Sequence, residues 1–226
     1  MHNIAFIPVR GGSKSIPLKN IKDMCGKPLV YWTVLAASEC EAVDEVVVST
    51  DSEQIRETVL SFQLPKVTVV GRSEEVSTDT ASTESVMLEY AKDHTFDNIA
   101  LVQATSPLLT AKDLQNGFDE LAKEGVDSVI SCVEQKRFQW NRKENGEAYP
   151  MNYDVFKRPR RQEFDAYYTE NGAFYMISRA LLLKTGNRLA GSMRIVEMPQ
   201  ASFLEIDEPE DWEIISLLKK RQLEQM

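Results

Sequence analysis

The stretch Ile4-Ala-Phe-Ile-Pro-Val-Arg10-Gly11-Gly12-Ser13-Lys14-Ser-Ile-Pro17-Leu-Lys19-Asn20 decides the fold. Ile4 to Val9 is a short, nearly continuous apolar run, the pattern of a strand covered on both faces. At Arg10 it gives way to a loop whose glycines let backbone approach a ligand closely. Arg10, Lys14 and Lys19 supply three cations there, so in outline the segment is a phosphate-binding loop. Two familiar loops are excluded by spacing. Ser13 separates Gly12 from Lys14, which breaks the Gly-Lys-Ser/Thr order of a Walker A loop, and no Gly-x-Gly-x-x-Gly dinucleotide fingerprint occurs. The alternative for this segment alone is a basic surface turn after a strand.

Further strand-like runs follow at 44–50, 66–70, 98–103 and 127–133, with helical patterns between most of them. Such alternation predicts an α/β domain with a mainly parallel sheet. Pro28 suits the first turn of a helix that continues with helical apolar spacing from Leu29 to Ser38. Thr110 with Asp113 reads as a helix cap, for a helix running through Lys123. Gly172 to Ile177 and Met193 to Met198 read as late strands, and Glu210 to Leu223 as a closing amphipathic helix. Ligands of open parallel sheets bind beyond the carboxyl ends of the strands, which is where Arg10, Thr50, Asp51 and Gln103 fall. Between about 136 and 170 the periodicity stops. This aromatic-rich, locally basic stretch, with Lys157-Arg-Pro-Arg160-Arg161 at its centre, reads as an excursion from the core: a solvated face, an interface or a clamp for an anionic substrate.

A chain of 226 residues fits one domain, with room for an appended lobe. Its net charge of -9 argues against a general nucleic-acid binder, which needs a basic footprint, whereas a small anion needs only a local basic pocket. No apolar run approaches the roughly 20 residues of a membrane span, and no basic segment with a hydrophobic signal core begins the chain, so a cytoplasmic protein with no membrane partner is expected. Cys25, Cys40 and Cys132 are widely spaced without a C-x-x-C pair and are expected to be reduced packing residues. Two histidines, His2 and His94, leave little room for histidine-based metal or triad chemistry.

An ordered series of motifs runs along the chain: Arg10-Gly-Gly-Ser-Lys14 with Ile16-Pro17-x-Lys19-Asn20, Gly26-Lys-Pro-Leu29, Val48-Ser-Thr-Asp51, and Arg72 followed by Asp79-Thr-Ala-Ser-Thr83. Leu101-Val-Gln103-Ala-Thr-Ser-Pro-Leu108, Asn171-Gly-Ala-Phe-Tyr175 and Glu205-Ile-Asp207-Glu-Pro-Glu-Asp211 complete it. Over nearly the whole chain, this series resembles the CMP-sialic acid synthetases, the acylneuraminate cytidylyltransferases. The resemblance implies a three-layer α/β/α Rossmann-like nucleotidyltransferase fold over residues 1–226, with 136–170 as an inserted dimerisation lobe. It implies transfer of CMP from CTP to the anomeric hydroxyl of a nonulosonic acid, with release of pyrophosphate.

The resemblance also implies roles. Arg10 and Lys14, with the backbone of Gly11, Gly12 and Ser13 and with Lys19, would cradle the triphosphate and stabilise charge on the leaving pyrophosphate. Asn20, Arg72 and Thr83 would contact the nucleotide, an amide at Asn20 suiting cytosine because it offers both donor and acceptor. Asp207, with Glu205, would hold magnesium; the two alternate along an extended segment, so both carboxylates project to one side. The family usually carries Asp at both positions, and Glu205 departs from this. Gln103, Asn171 and Tyr175 would line the sugar pocket. Arg160 matches a residue that in relatives reaches across from the other subunit of a homodimer, where a guanidinium suits a carboxylate. Ser15 and Thr169 also depart from common family residues, which leaves open legionaminic, pseudaminic, deaminated neuraminic or ketodeoxyoctonic acid as the acceptor. A noncatalytic nucleotide-binding protein is the reading from a different class.

Overall fold

The computed structural model describes residues 1–12, 15–78 and 80–225. Its strands and helices, in chain order, are β1 (Asn3–Pro8), β2 (Asp23–Met24), β3 (Lys27–Pro28), α1 (Leu29–Glu39), β4 (Glu45–Ser49), α2 (Glu53–Leu60), β5 (Val67–Val70) and α3 (Thr83–Asp93). There follow β6 (Asn98–Val102), α4 (Ala111–Leu121), β7 (Ser128–Gln135), β8 (Trp140–Arg142), β9 (Ala148–Pro150), β10 (Tyr167–Ser178), α5 (Arg179–Thr185), β11 (Met193–Glu197) and α6 (Pro209–Leu223).

Seven strands form one sheet in the order β11-β7-β10-β6-β1-β4-β5. The expected parallel core is present: β1 pairs in parallel with both β4 and β6, and β4 with β5. The apolar run at the start of the chain is covered on both sides, as its pattern predicts. Ala5 and Ile7 join a cluster with Val30 and Val34 of α1, Ile55 and Val59 of α2 and Leu114 and Phe118 of α4. Ile4 and Phe6 face the other way, against Val86, Met87 and Tyr90 of α3 and Leu182 of α5. Three layers result, with the sheet in the middle.

One strand runs against the rest. β10 is antiparallel to both β6 and β7, and its pairing with β7 shifts register between Glu170 and Tyr175. Direction is invisible in an apolar run, so the strand at 172–177 was legible and its reversal was not. The strand also begins earlier, at Tyr167, so the last residues of the expected excursion belong to the sheet; the remainder carries a small hairpin of β8 and β9. At Gly117 of α4 an added Cβ would lie 2.5 Å from Met176 Cε and 2.9 Å from Phe174 Cε2, so the helix packs closely on the side chains of β10 and a larger residue would displace them.

The caps follow the local chemistry. Thr110 and Asp113 form a reciprocal capping box, Thr110 Oγ1 accepting from Asp113 N at 3.2 Å and Asp113 Oδ2 from Thr110 N at 3.0 Å, although α4 ends at Leu121, two residues short of the expected end. Pro28 lies just before α1 rather than within its first turn. None of the described helices is long and apolar enough to cross a membrane.

A third cluster ties α6 to α1: Ile215 and Ile206 pack with Met24, Leu29 and Trp32. It also encloses a cation. Lys219 is only 5% exposed, with Nζ 4.1 Å from the centre of the Trp32 ring and donating to Gln222 Oε1 at 2.9 Å. Burial pulls its pKa down from 10.5 to about 8, against the smaller opposing pull of Cys25 and Glu39. Between pH 8 and 10.5 the unfolded chain therefore holds a proton that the folded chain releases, so this residue makes stability rise with pH across that window. Replacing it by methionine should flatten the rise and leave the protein more stable at pH 7, by on the order of 1–3 kcal/mol. Urea unfolding at pH 7, 8.5 and 10 would read this, and an unchanged slope in Lys219→Met would refute it.

Candidate active site

The carboxyl ends of β1, β4, β5 and β6 all open on the same edge of the sheet, and the segments that leave β1, β5 and β6 line a cavity of about 450 Å³. Arg10 lines it just beyond β1, Arg72 just beyond β5, and Gln103 just beyond β6. Lys19 and Asn20 enter from a 3-10 turn at Lys19–Ile21, Thr83 from the first turn of α3, and Asp207 from the segment before α6. Seven residues singled out in the sequence, spread over almost 200 positions, thus share one enclosure. Ser13 and Lys14, the remaining candidates of the phosphate loop, lie outside the described residues.

The loop after β1 is held in two directions. Gly11 donates its backbone N–H to Asp51 Oδ1 at 3.0 Å, and Asn20 donates from Nδ2 to the carbonyl of Arg10 at 3.0 Å. Asn20 thereby spends one donor on the loop itself. An added Cβ at Gly12 would meet nothing within 4 Å, so the backbone there is open to a ligand. Arg72 is almost fully enclosed. Its Nη2 donates to the carbonyl of Val9 and lies 3.4 Å from Asp51 Oδ1, while Nε is buried with no hydrogen-bond partner among the described residues. Burial lowers its pKa, with the repulsion of Arg10 adding to this and the charge of Asp51 opposing it.

On the opposite side, the segment Glu205-Ile-Asp207 is docked by its backbone. Ile206 N donates to Thr105 O at 3.0 Å, Lys19 Nζ to Ile206 O at 2.7 Å, and Ser15 Oγ to Asp207 O at 2.6 Å. Ile206 is fully buried, so the residues on either side are turned away from the core, as alternation in an extended segment requires. Asp207 is exposed, with Oδ1 3.6 Å from Lys19 Nζ. Glu205 is half-buried; burial raises its pKa first, and the charge of Asp207 raises it further.

Gly172 explains how Glu205 fits. It sits in the irregular part of β10 at φ +66°, and an added Cβ would lie 2.5 Å from Glu205 Oε2 and 3.1 Å from Gln103 Oε1. Gln103 Oε1 is itself buried without a partner among the described residues, and Gln103 N donates to Ala173 O at 3.1 Å. The glycine is needed twice over, for the left-handed backbone and for the space.

Gly11, Gly12 and Glu205 do not line the cavity themselves, and Asn171, Tyr175 and Arg160 are engaged elsewhere. Asn171 is buried, with Nδ2 donating to Ser202 O at 3.0 Å and lying 3.3 Å from Ser202 Oγ; it ties β10 to the 3-10 turn at Gln200–Phe203 and does not line the cavity. Tyr175 is 7% exposed, and its hydroxyl donates to Glu170 Oε2 at 2.9 Å. Burial and that carboxylate hold the phenol well above its ordinary pKa. The guanidinium of Arg188 stacks 4.7 Å from the Tyr175 ring centre and pairs with Glu84 at 2.6 Å. Arg160 lies in the excursion, on a groove shared with Lys136, Arg137 and Arg158 and separate from the strand-end cavity. Among the described residues no cluster of three or more His, Cys, Asp or Glu exists that could hold a metal.

Sequence reasoning missed several wall residues. Ser77, Thr78, Ser82 and Thr105 give the cavity a hydroxyl-rich side, and the density of Ser and Thr between 77 and 83 was the available signal. Asp51 was placed at the right edge but without a role.

An open α/β sheet with cations and a carboxylate gathered at one edge is an arrangement suited to nucleotides and other polyphosphates. The family model described as cytidylyltransferase matches residues 4–226, and the chain belongs to that family. It is 38% identical over 217 residues to N-acylneuraminate cytidylyltransferase A of Danio rerio, a match covering 94% of this chain and 50% of that protein. It is 28% identical over 228 residues to pseudaminic acid cytidylyltransferase of Campylobacter jejuni, covering 97% of each. The chain thus spans about half the length of the N-acylneuraminate relative and nearly all of the pseudaminic one. Among solved structures, a CMP:2-keto-3-deoxy-manno-octonic acid synthetase complexed with CTP superposes with a TM-score of 0.72 at 19% identity, covering 98% of this chain and all of the other. That likeness confirms the three-layer fold.

Alanine at Gly172 would have to adopt a left-handed backbone and displace Glu205. The expected loss of stability is about 1–2 kcal/mol from the backbone alone. Urea unfolding of Gly172→Ala against wild type measures it, and an unchanged midpoint would contradict the left-handed backbone at Gly172.

Proposed function

We propose that the protein is a cytidylyltransferase that transfers CMP from CTP to the anomeric hydroxyl of a nonulosonic, sialic-type acid and releases pyrophosphate. The observation that carries this is the convergence of Arg10, Lys19, Asn20, Arg72, Thr83 and Gln103 in one cavity that Asp207 also lines. Family membership supports the nucleotide, and the named activities of the relatives support an acid-sugar acceptor. Identity is higher to the N-acylneuraminate relative than to the pseudaminic one, which favours the former class of acceptor.

In this reading the triphosphate lies against the loop after β1. Arg10 and Lys19, with Lys14, hold its phosphates in line and stabilise the charge that develops on the leaving pyrophosphate. Arg72, Asn20 and Thr83 hold the nucleoside side. The acceptor sits toward Gln103, whose buried Oε1, unpartnered among the described residues, can take a hydrogen bond from a sugar hydroxyl. Its C2 hydroxyl attacks the α-phosphorus, and the bond to the pyrophosphate oxygen breaks. Tyr175 supports that end of the site through its buried ring, and Asn171 does so by fixing the bulge that contains Gly172.

The residues fit a divalent cation. Burial and the nearby charge of Asp207 raise the proton affinity of Glu205, a strain that a hard cation relieves, and two protein oxygens are what magnesium takes when phosphates and water complete its shell. When bound it would neutralise phosphate charge and acidify the attacking hydroxyl. The excursion would serve as a dimerisation lobe that carries Arg160 toward a second copy. Phe156, 94% exposed, together with Met151 and Trp140, leaves apolar surface there that suits such burial. Three free thiols fit a reducing, cytoplasmic setting.

The test is pyrophosphate release from CTP and magnesium with a panel of N-acetylneuraminic, deaminated neuraminic, legionaminic, pseudaminic and ketodeoxyoctonic acids. Turnover with a nine-carbon acid is expected; silence with all of them, despite CTP binding, would favour the noncatalytic reading. In Arg10→Ala, kcat should fall by about 100-fold while the KM for the sugar stays within about two-fold, because the lost partner is charge present mainly in the transition state. An unchanged kcat would remove Arg10 from the mechanism.

A further inference from the structure

We propose that Asp51 is a positioning residue of the nucleotide site, which sets Arg72 for its ligand and locks it to the loop after β1. This rests on the reading of the cavity as a CTP site. One carboxylate oxygen serves two segments that are remote in sequence: Oδ1 accepts from Gly11 N at 3.0 Å and lies 3.4 Å from Arg72 Nη2. The same Nη2 also donates to the carbonyl of Val9, the residue before Arg10. The backbone that carries the first cation and the side chain that is the second are thus fastened at one point.

The arrangement leaves Arg72 with donors unspent. Its side chain is 6% exposed and borders the cavity, yet Nε is buried without a partner among the described residues. A guanidinium has five N–H donors in a rigid plane, so anchoring Nη2 on Asp51 and Val9 sets the direction of the others. A buried unpaired donor is costly unless a ligand acceptor completes it. Asp51 itself is held at the carboxyl end of β4, where the parallel register with β1 brings Ser49 opposite Pro8 and so keeps both loops level.

Charge and positioning make opposite predictions for Asp51. If it were only a like charge near a triphosphate, removing it would tighten CTP; if it positions Arg72, removing it weakens CTP. Asp51→Asn keeps an oxygen in the place of the shared Oδ1 and removes the charge, so it tests whether ionic anchoring of the guanidinium is what sets Arg72. The experiment is calorimetric CTP binding to wild type, Asp51→Asn, Arg72→Ala and the double variant, with the KM for the acid sugar measured alongside and urea unfolding to establish folding. Expected are a CTP affinity about ten-fold weaker in Asp51→Asn, a sugar KM within about two-fold of wild type, and no further loss when Asp51→Asn is added to Arg72→Ala. Tighter or unchanged CTP binding in Asp51→Asn overturns the proposal while leaving the nucleotide reading intact. A full additional loss on the Arg72→Ala background overturns it too, since Asp51 would then act independently of Arg72. Failure of the wild type to bind CTP overturns the nucleotide reading and this proposal together. Should Arg72→Ala fail to fold, Arg72→Lys replaces it in the cycle, since lysine keeps the charge but cannot hold the planar anchor.

Discussion

The site depends on the docking of a short extended segment, Leu204 to Asp207, across the ends of two parallel strands. Ile206 is its pivot. Its side chain is buried among Met24, Leu29 and Trp32, its N–H is taken by Thr105 beyond β6, and its carbonyl is taken by Lys19 beyond β1. With both backbone groups paired and the side chain inward, the flanking carboxylates have one direction left. The cations of the first loop and the anions of the last segment are thereby set facing each other, with Lys19 belonging to both sides. An interior cluster and two hydrogen bonds position charges whose own attraction, at an exposed Asp207, is weak.

Around that pivot the other features fall into place. β10 must run antiparallel beside β6 for Ala173 to meet Gln103, and it must lose its regular pairing near Gly172 for Glu205 to pack against it. Asn171 then secures the irregular backbone by bonding to Ser202, four residues ahead of Ile206, so the bulge and the docked segment are anchored to each other. A buried amide spent in this way rigidifies the strand where the ladder is interrupted. The cost of the interruption is met next to the site that uses it.

How much of this was legible follows from what kind of signal each part leaves. The strands at 3–9, 44–50 and 98–103 are apolar on both faces because helices cover both faces, and that burial is written in composition. The Thr110 cap is a contact over three residues, well within the reach of a local reading. Arg10 and Gln103 could be gathered because a parallel sheet delivers its strand ends to one edge, whereas Arg72 and Asp207 were singled out only through the family resemblance. Asp51 was legible at that same edge, but its role left no signal, because a lone aspartate after a strand resembles any loop residue until Gly11 and Arg72 arrive from elsewhere. Asn171 and Tyr175 show the reverse case, since groups that suit sugar recognition in isolation are engaged by Ser202 and Glu170.

By itself, then, the sequence determined the α/β class, the parallel core, the basic loop at its first strand and the inventory of charges that could meet a polyphosphate. These depend on periodicity, burial and residue type, which act over a few neighbours along the chain. Only the tertiary structure decided the reversed direction of β10, the space reserved at Gly172, the partners of Asn171 and Tyr175, and the shared carboxylate of Asp51. Each is a contact between segments distant along the chain, chosen by how the layers pack rather than by any local preference of the residues involved.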